Sequence, residues 1–478
     1  MNRPSVKLSI LSISLLTVMA SAAISPALAK ISQAFPGADL TLIKLVLTLP
    51  SLLIIPFSLL SGWLASRMKK KHILLIGLFI YCLGGIGGGF ARSIAELLII
   101  RGIFGIGVGL IIPLSTSLIA DFFEGERRTK MMGYSGAVSH IGGVIFLLIS
   151  GWLACFSWRY AFGVYGLALA TALMIIFWLP EPVYKRAPGL NKSKLPREVY
   201  VCALLGALMM VAFYAAPTNL AMFIEKERKM YTSQAPLFKG REELLYHLER
   251  GTVSEVTRQS FKNNGILLSD RASLAVEQQG KGWTIIDKNR KYIVKKQDDK
   301  LVIYTERLGR PGIAGYFLST MTLAGAVSGL VLAVLIRLCG SYCSVLGIGL
   351  MGMGYVLLGH TTSLVGVFFA MLCIGFSAGV LMPLLLLRVA KITPGVSRAL
   401  AMAVVSIGIY LGQFLSPVVL NGVVAAIPAQ DAFRLQFNFL TLGLALATLI
   451  GIGIAIKNLN RIKSQPASSS GEQGFMHR

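Results

Sequence analysis

Apolar positions along this chain fall into twelve runs separated by short polar stretches. They lie at roughly 8–29, 41–65, 72–91, 94–120, 131–155, 159–180, 199–224, 312–336, 341–360, 364–390, 399–427 and 432–456. About 20 mainly apolar residues span a bilayer as a helix, so each run predicts a transmembrane helix. The pattern also repeats at one constant offset, the step from position 67 to position 337. Arg67, Gly77, Gly84, Gly105, Gly109, Pro113, Gly125, Arg128 and Gly142 recur as Arg337, Gly347, Gly354, Gly375, Gly379, Pro383, Gly395, Arg398 and Gly412. These residue types set backbone geometry and helix approach. A second pairing, "ISPALAKI" around Pro26 with "AAPTNLAMFI" around Pro217, stands at a shorter offset. The register therefore jumps between Pro217 and Arg337, which places an insertion there. The expected fold is an all-α membrane protein of two six-helix pseudo-repeats, 1–183 and 199–224 with 312–456. A linker at 184–198, an insertion at 225–311 between helices 7 and 8 and a tail at 457–478 complete it.

Composition agrees. Hydrophobic residues make up 55% of the chain and charged residues 14%, against about 25% charged in soluble domains. Arg3, Lys7, an apolar run and Ala27-Leu28-Ala29 imitate a signal peptide, but the long apolar stretch and its counterpart at the seventh run favour an uncleaved first span. The net charge of +25 would suit a nucleic-acid partner, but its distribution excludes one. Of 28 Lys and Arg outside 225–311, 22 sit in the amino terminus, in alternate loops and in the tail. That is the positive-inside bias, which predicts cytoplasmic termini. The six cysteines all lie in or beside apolar runs and define no disulfide framework. Cys339 and Cys343 give only a weak metal hint, and no metal or cofactor is expected.

The 225–311 stretch holds 18 basic and 12 acidic residues, and its position predicts an extracytoplasmic α+β domain. "REELLYHLER", "SEVTRQSFKNN" and "SDRASLAVEQQG" read as helices. "GWTIID" (282–287), "KYIVKK" (291–296) and "KLVIYT" (300–305) read as a three-stranded meander. Trp283, Ile285, Ile293, Val302 and Tyr304 are its expected core. His247, its one histidine, reads as a solvated helix residue.

Several motifs carry a family resemblance. "GWLASRMKKK" (62–71), "RGIFGIGVG" (101–109), "GAVSHIGGVIFLLISG" (136–151), "SWRYAF" (157–162) and "LPEP" (179–182) resemble segments of the major facilitator superfamily, in its twelve-helix drug:proton antiporter branch. The resemblance implies the major facilitator fold, a multi-pass bacterial cell membrane protein, and no enzyme. It places conformational roles on Gly62, Arg67, Lys70, Lys71, Gly105, Gly109, Gly142 and Gly143. In the 62–71 loop a glycine would permit tight helix contact, and the basic cluster would meet helix C-terminal carbonyls or anionic lipid. The family's Asp falls on Ser66 and one of its glycines on Lys69, which puts the usual charge pair in doubt.

Candidate substrate and proton sites follow from polar residues inside spans. Arg101 is costly in a bilayer and should face a partner; it would bind a substrate carboxylate or modulate a proton site, or else snorkel towards Glu96. His140 titrates near neutrality and is a candidate proton carrier or a packing residue. Tyr214, Asn219, Ser377, Tyr410 and Gln413 are cavity candidates or interhelical hydrogen bonds. All nine carboxylates outside the insertion lie at membrane edges, in loops or in the tail. Arg101 is therefore the cavity's expected fixed charge, which favours neutral or anionic substrates over cations.

The expected function is export of a small amphipathic, neutral or anionic compound by alternating access, with protons as the candidate coupling ion. One alternative is an uptake or facilitated-diffusion carrier. Another is a membrane-anchored receptor or scaffold that works through the inserted domain and an extracytoplasmic partner.

Overall fold

The computed structural model describes residues 4–181, 195–226, 311–393 apart from Thr362, 397–427 and 431–463, with shorter stretches between 234 and 307. Among the described residues eleven helices are long and apolar enough to cross a membrane, and a shorter apolar one precedes them. They are α1 (Pro4–Ala22), α2 (Leu40–Leu64), α3 (Lys70–Gly87), α4 (Ile94–Phe122), α5 (Gly125–Phe156) and α6 (Trp158–Trp178, with a 3-10 segment at Phe162–Gly166). The second half has α7 (Arg197–Lys226), α8 (Pro311–Cys339), α9 (Cys343–His360), α10 (Leu364–Ile392), α11 (Ser397–Ala426) and α12 (Ala432–Lys463). The start of α1 and the loops at 65–69 and 123–124 mark a basic face of the bundle. The segment at 23–39 and the stretch between α7 and α8, the site of the expected insertion, connect helices at the opposite, insert face.

The expected first span at 8–29 is corrected. The helix stops at Ala22, passes through a 3-10 turn at Ser25–Ala27 and resumes at Leu28–Ala34. Pro26 lacks the N–H that would continue the ladder.

The repeat is legible in the packing. Ser93 and Ser363, partners in the repeat, cap α4 and α10 by accepting from Glu96 N at 3.2 Å and Gly366 N at 3.1 Å. α4 packs on α2 through Gly105 and Gly109, and α10 packs on α8 through Gly375 and Gly379. A Cβ on Gly105 would come within 2.6 Å of the Pro50 carbonyl oxygen, and one on Gly375 within 2.0 Å of that of Met321. Only glycine admits that approach. Between the halves, α5 packs against α8 and α2 against α11. The Ser25 hydroxyl donates to the Pro217 carbonyl, so the segments paired at the shorter offset touch where the halves meet.

Between α7 and α8 a five-stranded antiparallel sheet runs in the order β1-β5-β4-β3-β2. Its strands are β1 (Gln234–Ala235), β2 (Ala275–Gln279), β3 (Gly282–Asp287), β4 (Arg290–Gln297) and β5 (Lys300–Arg307). A helix at Glu255–Asn263 agrees with the expectation for "SEVTRQSFKNN". The "SLAVEQQ" stretch differs from its helical reading: Ala275–Gln279 pairs with β3, Val276 opposite Ile285. Backbone pairing with β3 outweighs a weak local helix preference. Leu248, Phe261, Trp283, Ile285, Tyr292 and Val294 form a core separate from that of the membrane helices. The side chains of Ile293, Val302 and Tyr304 lie outside the described residues.

Candidate functional site

Helix α2 presents two stripes at helical spacing. Val46, Pro50, Leu53 and Phe57 face α4. Thr41, Lys44, Thr48 and Ser51 form the other stripe, and three of them bond to the opposite half. The Lys44 ammonium donates to Asn421 Oδ1 at 2.6 Å and to Gln436 Oε1 at 3.5 Å. Asn421 Nδ2 donates to Thr41 Oγ1 at 3.0 Å, and Gln436 Nε2 donates to Asn421 Oδ1 at 2.8 Å. The ammonium lies 5.5 Å from the centre of the Phe433 ring. Two turns deeper, Ser51 Oγ donates to Gln413 Oε1 at 2.8 Å, and Gln413 Nε2 contacts Met210 Sδ at 3.8 Å. Thr48 Oγ1, between these two sets along the stripe, is buried without a hydrogen-bond partner.

Lys44 is fully buried, and no carboxylate stands within ion-pair distance of it among the described residues. Asp39, five residues earlier at the α2 N-cap, accepts from Thr41 N at 2.5 Å. Those Thr41 hydrogen bonds hold the Asp39 carboxyl below its usual pKa. A basic side chain at membrane depth costs at least about 2.5 kcal/mol, so one without a counter-ion marks function. This corrects the expectation that Arg101 is the one fixed charge. The sequence signal was the 41/44/48/51 spacing of polar residues on one face of an apolar helix.

Arg101 is also fully buried, inside the first half. Its Nε donates to the Val46 carbonyl at 2.9 Å, and its guanidinium lies 4.3 Å from the Phe104 ring centre and 5.4 Å from that of Tyr165. Both terminal nitrogens lack hydrogen-bond partners, as does the buried Tyr165 hydroxyl. Glu96 instead accepts from Arg92 N at 2.9 Å, so the snorkelling pair is corrected. The aromatic faces and the α2 carbonyl hold the guanidinium inward.

The remaining candidates disperse. Gln413 joins the seam between α2 and α11, and Tyr410, half-buried, lies one turn from it on α11. Tyr214 is buried beside Met210 and Ile409. Asn219 donates to the Ala215 carbonyl at 2.9 Å and leaves its buried Oδ1 unpartnered. Ser377 donates to the Gly347 carbonyl at 2.7 Å, which ties α10 to α9 away from the seam. His140 is exposed on the α5 face that continues from Leu147 and Val144. Val144 accepts from Ser319 Oγ of α8 at 3.0 Å. Gly133 and Gly136 have open space beside them, and Leu323 and Leu330 on α8 are exposed. The hydrogen bonds described between the halves thus lie at mid-membrane or nearer the insert face.

In the 62–71 loop Gly62 has nothing near it, which corrects the expected tight contact. Ser66, at the family's Asp position, donates to the Trp63 carbonyl at 2.7 Å. Arg67 stacks 4.1 Å from the Trp63 ring centre. Lys70 pairs with Asp121 at 2.6 Å and Lys71 donates to the Ile176 and Leu179 carbonyls at 3.0 and 2.8 Å, at the C-terminal end of α6. Gly142 packs against Leu15, and Gly143 is buried. Among the described residues no cluster could hold a metal ion.

A membrane carrier fold with its halves meeting over a polar seam is thus in place. Residues 10–240 match the sequence profile of the Major Facilitator Superfamily. The chain is 33% identical to the multidrug transporter protein MdtP of Bacillus subtilis over 115 residues, 24% of this chain and 21% of that protein. It is 27% identical to the quinolone resistance protein NorA of Staphylococcus aureus over 181 residues, 36% of this chain and 46% of NorA. The matches therefore span less than half the length of either relative. The nucleoside transporter NupG shares the fold at a TM-score of 0.63 and 12% identity, over 95% of this chain and 99% of that one. The chain thus resembles the Major Facilitator Superfamily in sequence over residues 10–240 and shares the fold of its solved carriers.

Proposed function

We propose that this carrier exports a small amphipathic compound, neutral or anionic, in exchange for protons. The observation that carries the reading is the pair of buried cations, Lys44 and Arg101, with no buried carboxylate among the described residues. In a low-dielectric cavity such charges repel organic cations and attract anions. The similarity to MdtP and NorA supports drug-like compounds as the substrate class. The positive-inside bias makes the basic face cytoplasmic, so a vestibule between the halves would open to the cytoplasm and the sheet between α7 and α8 would lie outside. His140, exposed on the α5 face that continues from Val144, is the candidate proton carrier. Rocking of the halves about the α2–α11 and α5–α8 contacts would then expose the site to the other side.

Inverted vesicles containing the protein test this, with and without a pH gradient, over a panel matched in size and differing in charge. Gradient-dependent uptake of neutral and anionic members is expected. Preferential uptake of ethidium-like cations would overturn the reading.

A further inference from the structure

We propose that Lys44 is a ligand-responsive latch. With the insert face closed it is held by Asn421 and Gln436; an anionic group on the substrate replaces those two amide oxygens and frees α2 from α11 and α12. The ligand's identity rests on the export reading above, whereas the latch does not.

Three observations lead here. First, Lys44 joins the halves through a charged donor and two neutral acceptors on two different helices, at 2.6 and 3.5 Å. A carboxylate, phosphonate or phenolate oxygen makes a stronger partner for an ammonium than an amide oxygen does, so the bridge is exchangeable. Second, part of the bridge stays bonded. Gln436 Nε2 already donates to Asn421 Oδ1 at 2.8 Å, so that bond between α11 and α12 persists when the ammonium leaves. Third, an unsatisfied polar position lies beside it on the same stripe. Buried Thr48 Oγ1 is without a partner one turn deeper on the same face, between Lys44 and the Ser51–Gln413 bond. A ligand rising from the vestibule would meet Gln413 and Ser51, then the Thr48 hydroxyl, then the ammonium. Asp39, the acidic group nearest along α2, accepts from Thr41 N at 2.5 Å and acts on Lys44 only through the longer-range attraction of opposite charges.

The test uses the full chain in nanodiscs, its six native cysteines replaced, with nitroxides at Gly37→Cys and Ile427→Cys, both exposed at the insert face. Pulsed EPR on the ligand-free protein should give mainly a short distance. Lys44→Met should shift the population to a longer one, and Lys44→Arg should keep it short. A wild-type distribution in Lys44→Met, with an unchanged melting temperature, overturns the latch. Saturating nalidixic acid, a quinolone carboxylate without a basic amine, should lengthen the distance in wild type, and its neutral methyl ester should not; no response to the acid overturns the exchange. In inverted vesicles Lys44→Met should lose about tenfold in nalidixate uptake and leave the ester within about twofold. Equal loss of both assigns Lys44 a structural role and overturns the exchange. Vesicles in which wild type moves neither compound count against the export reading, and the EPR result still decides the latch.

Discussion

Arg159 and Arg434 hold the same loop in the two halves of the molecule. Arg159 Nη1 donates to the carbonyls of Gly89 and Ala91 at 2.8 and 2.9 Å. Arg434 donates to those of Gly359 and Thr361 at 3.1 and 3.3 Å. The carbonyls keep the register of the repeat, Gly89 with Gly359 and Ala91 with Thr361. The arginines do not, because the position matching Arg159 is Ala429, five places before Arg434. The clamp has survived that slip of register.

Each clamp satisfies two carbonyls at the turn between an α3–α4 or α9–α10 pair. Hydrogen bonds to charged groups contribute about 1.5–3 kcal/mol when buried, and both arginines are partly solvent-exposed. Arg159→Ala and Arg434→Ala should each cost about 1–3 kcal/mol and lower the apparent melting temperature in detergent. Arg434→Lys should recover little, because an ammonium on a flexible stem cannot span two carbonyls as a planar guanidinium does. A lysine variant that melts with the wild type would remove the geometric argument.

The glycines divide sharply. Gly375→Ala would place a Cβ 2.0 Å from the Met321 carbonyl oxygen, and the backbone of α8 cannot yield. Folded yield, read by size-exclusion profile, should collapse, and Gly105→Ala should follow it. Gly62→Ala, with nothing within 4 Å, should leave both yield and melting unchanged. A collapse at Gly62 would restore the tight contact that its motif position suggested.

How much of this was legible in the sequence depends on the kind of signal. Spans and repeat were readable because apolar length and glycine register act through the backbone, and Gly105, Gly109, Gly375 and Gly379 hold the helix pairs that their offset implied. Lys44 was not read, because one lysine at the fourth position of an apolar run resembles an edge anchor. Its meaning comes from Asn421 and Gln436, which are 377 and 392 residues away. Ser377 fails for the opposite reason. A serine in mid-span invites a cavity reading, but its hydroxyl is spent on the Gly347 carbonyl. The strand at Ala275–Gln279 needed β3 beside it before its local pattern meant anything.

Arg101 separates charge from shape. Arg101→Lys keeps the cation but loses both the Nε bond to Val46 and the flat contact with Phe104 and Tyr165. Uptake into inverted vesicles should fall by about tenfold or more while the protein stays folded. Arg101→Ala should also destabilise by about 2–4 kcal/mol, because it empties a fully buried position. Wild-type uptake by the lysine variant would show that charge alone suffices.

Lys70 and Asp121 form a charge pair that Ser66 cannot. Their ion pair at 2.6 Å is partly buried, with side chains 21% and 16% exposed, and Lys70 also donates to Ser117 Oγ at 2.7 Å. Such a pair should couple by about 1 kcal/mol in a double-mutant cycle of Lys70→Met and Asp121→Asn. The coupling should shrink at high salt. Strict additivity of the two variants would mean that the contact only anchors the loop.

The inserted unit should be separable from transport. Its core of Leu248, Phe261, Trp283, Ile285, Tyr292 and Val294 shares no residue with the core of the membrane helices. α7 runs to Lys226 and α8 begins at Pro311, so a short linker can replace residues 231–306 without cutting either helix. The deletion should keep the melting behaviour of the helices and leave vesicle uptake within about twofold, since surface insertions cost folding little beyond loop closure. Loss of uptake with the fold intact would move substrate recognition to the sheet. A cellular phenotype that survives Lys44→Met and Arg101→Ala but not the deletion would point to a receptor acting through that unit, with the helices as its anchor.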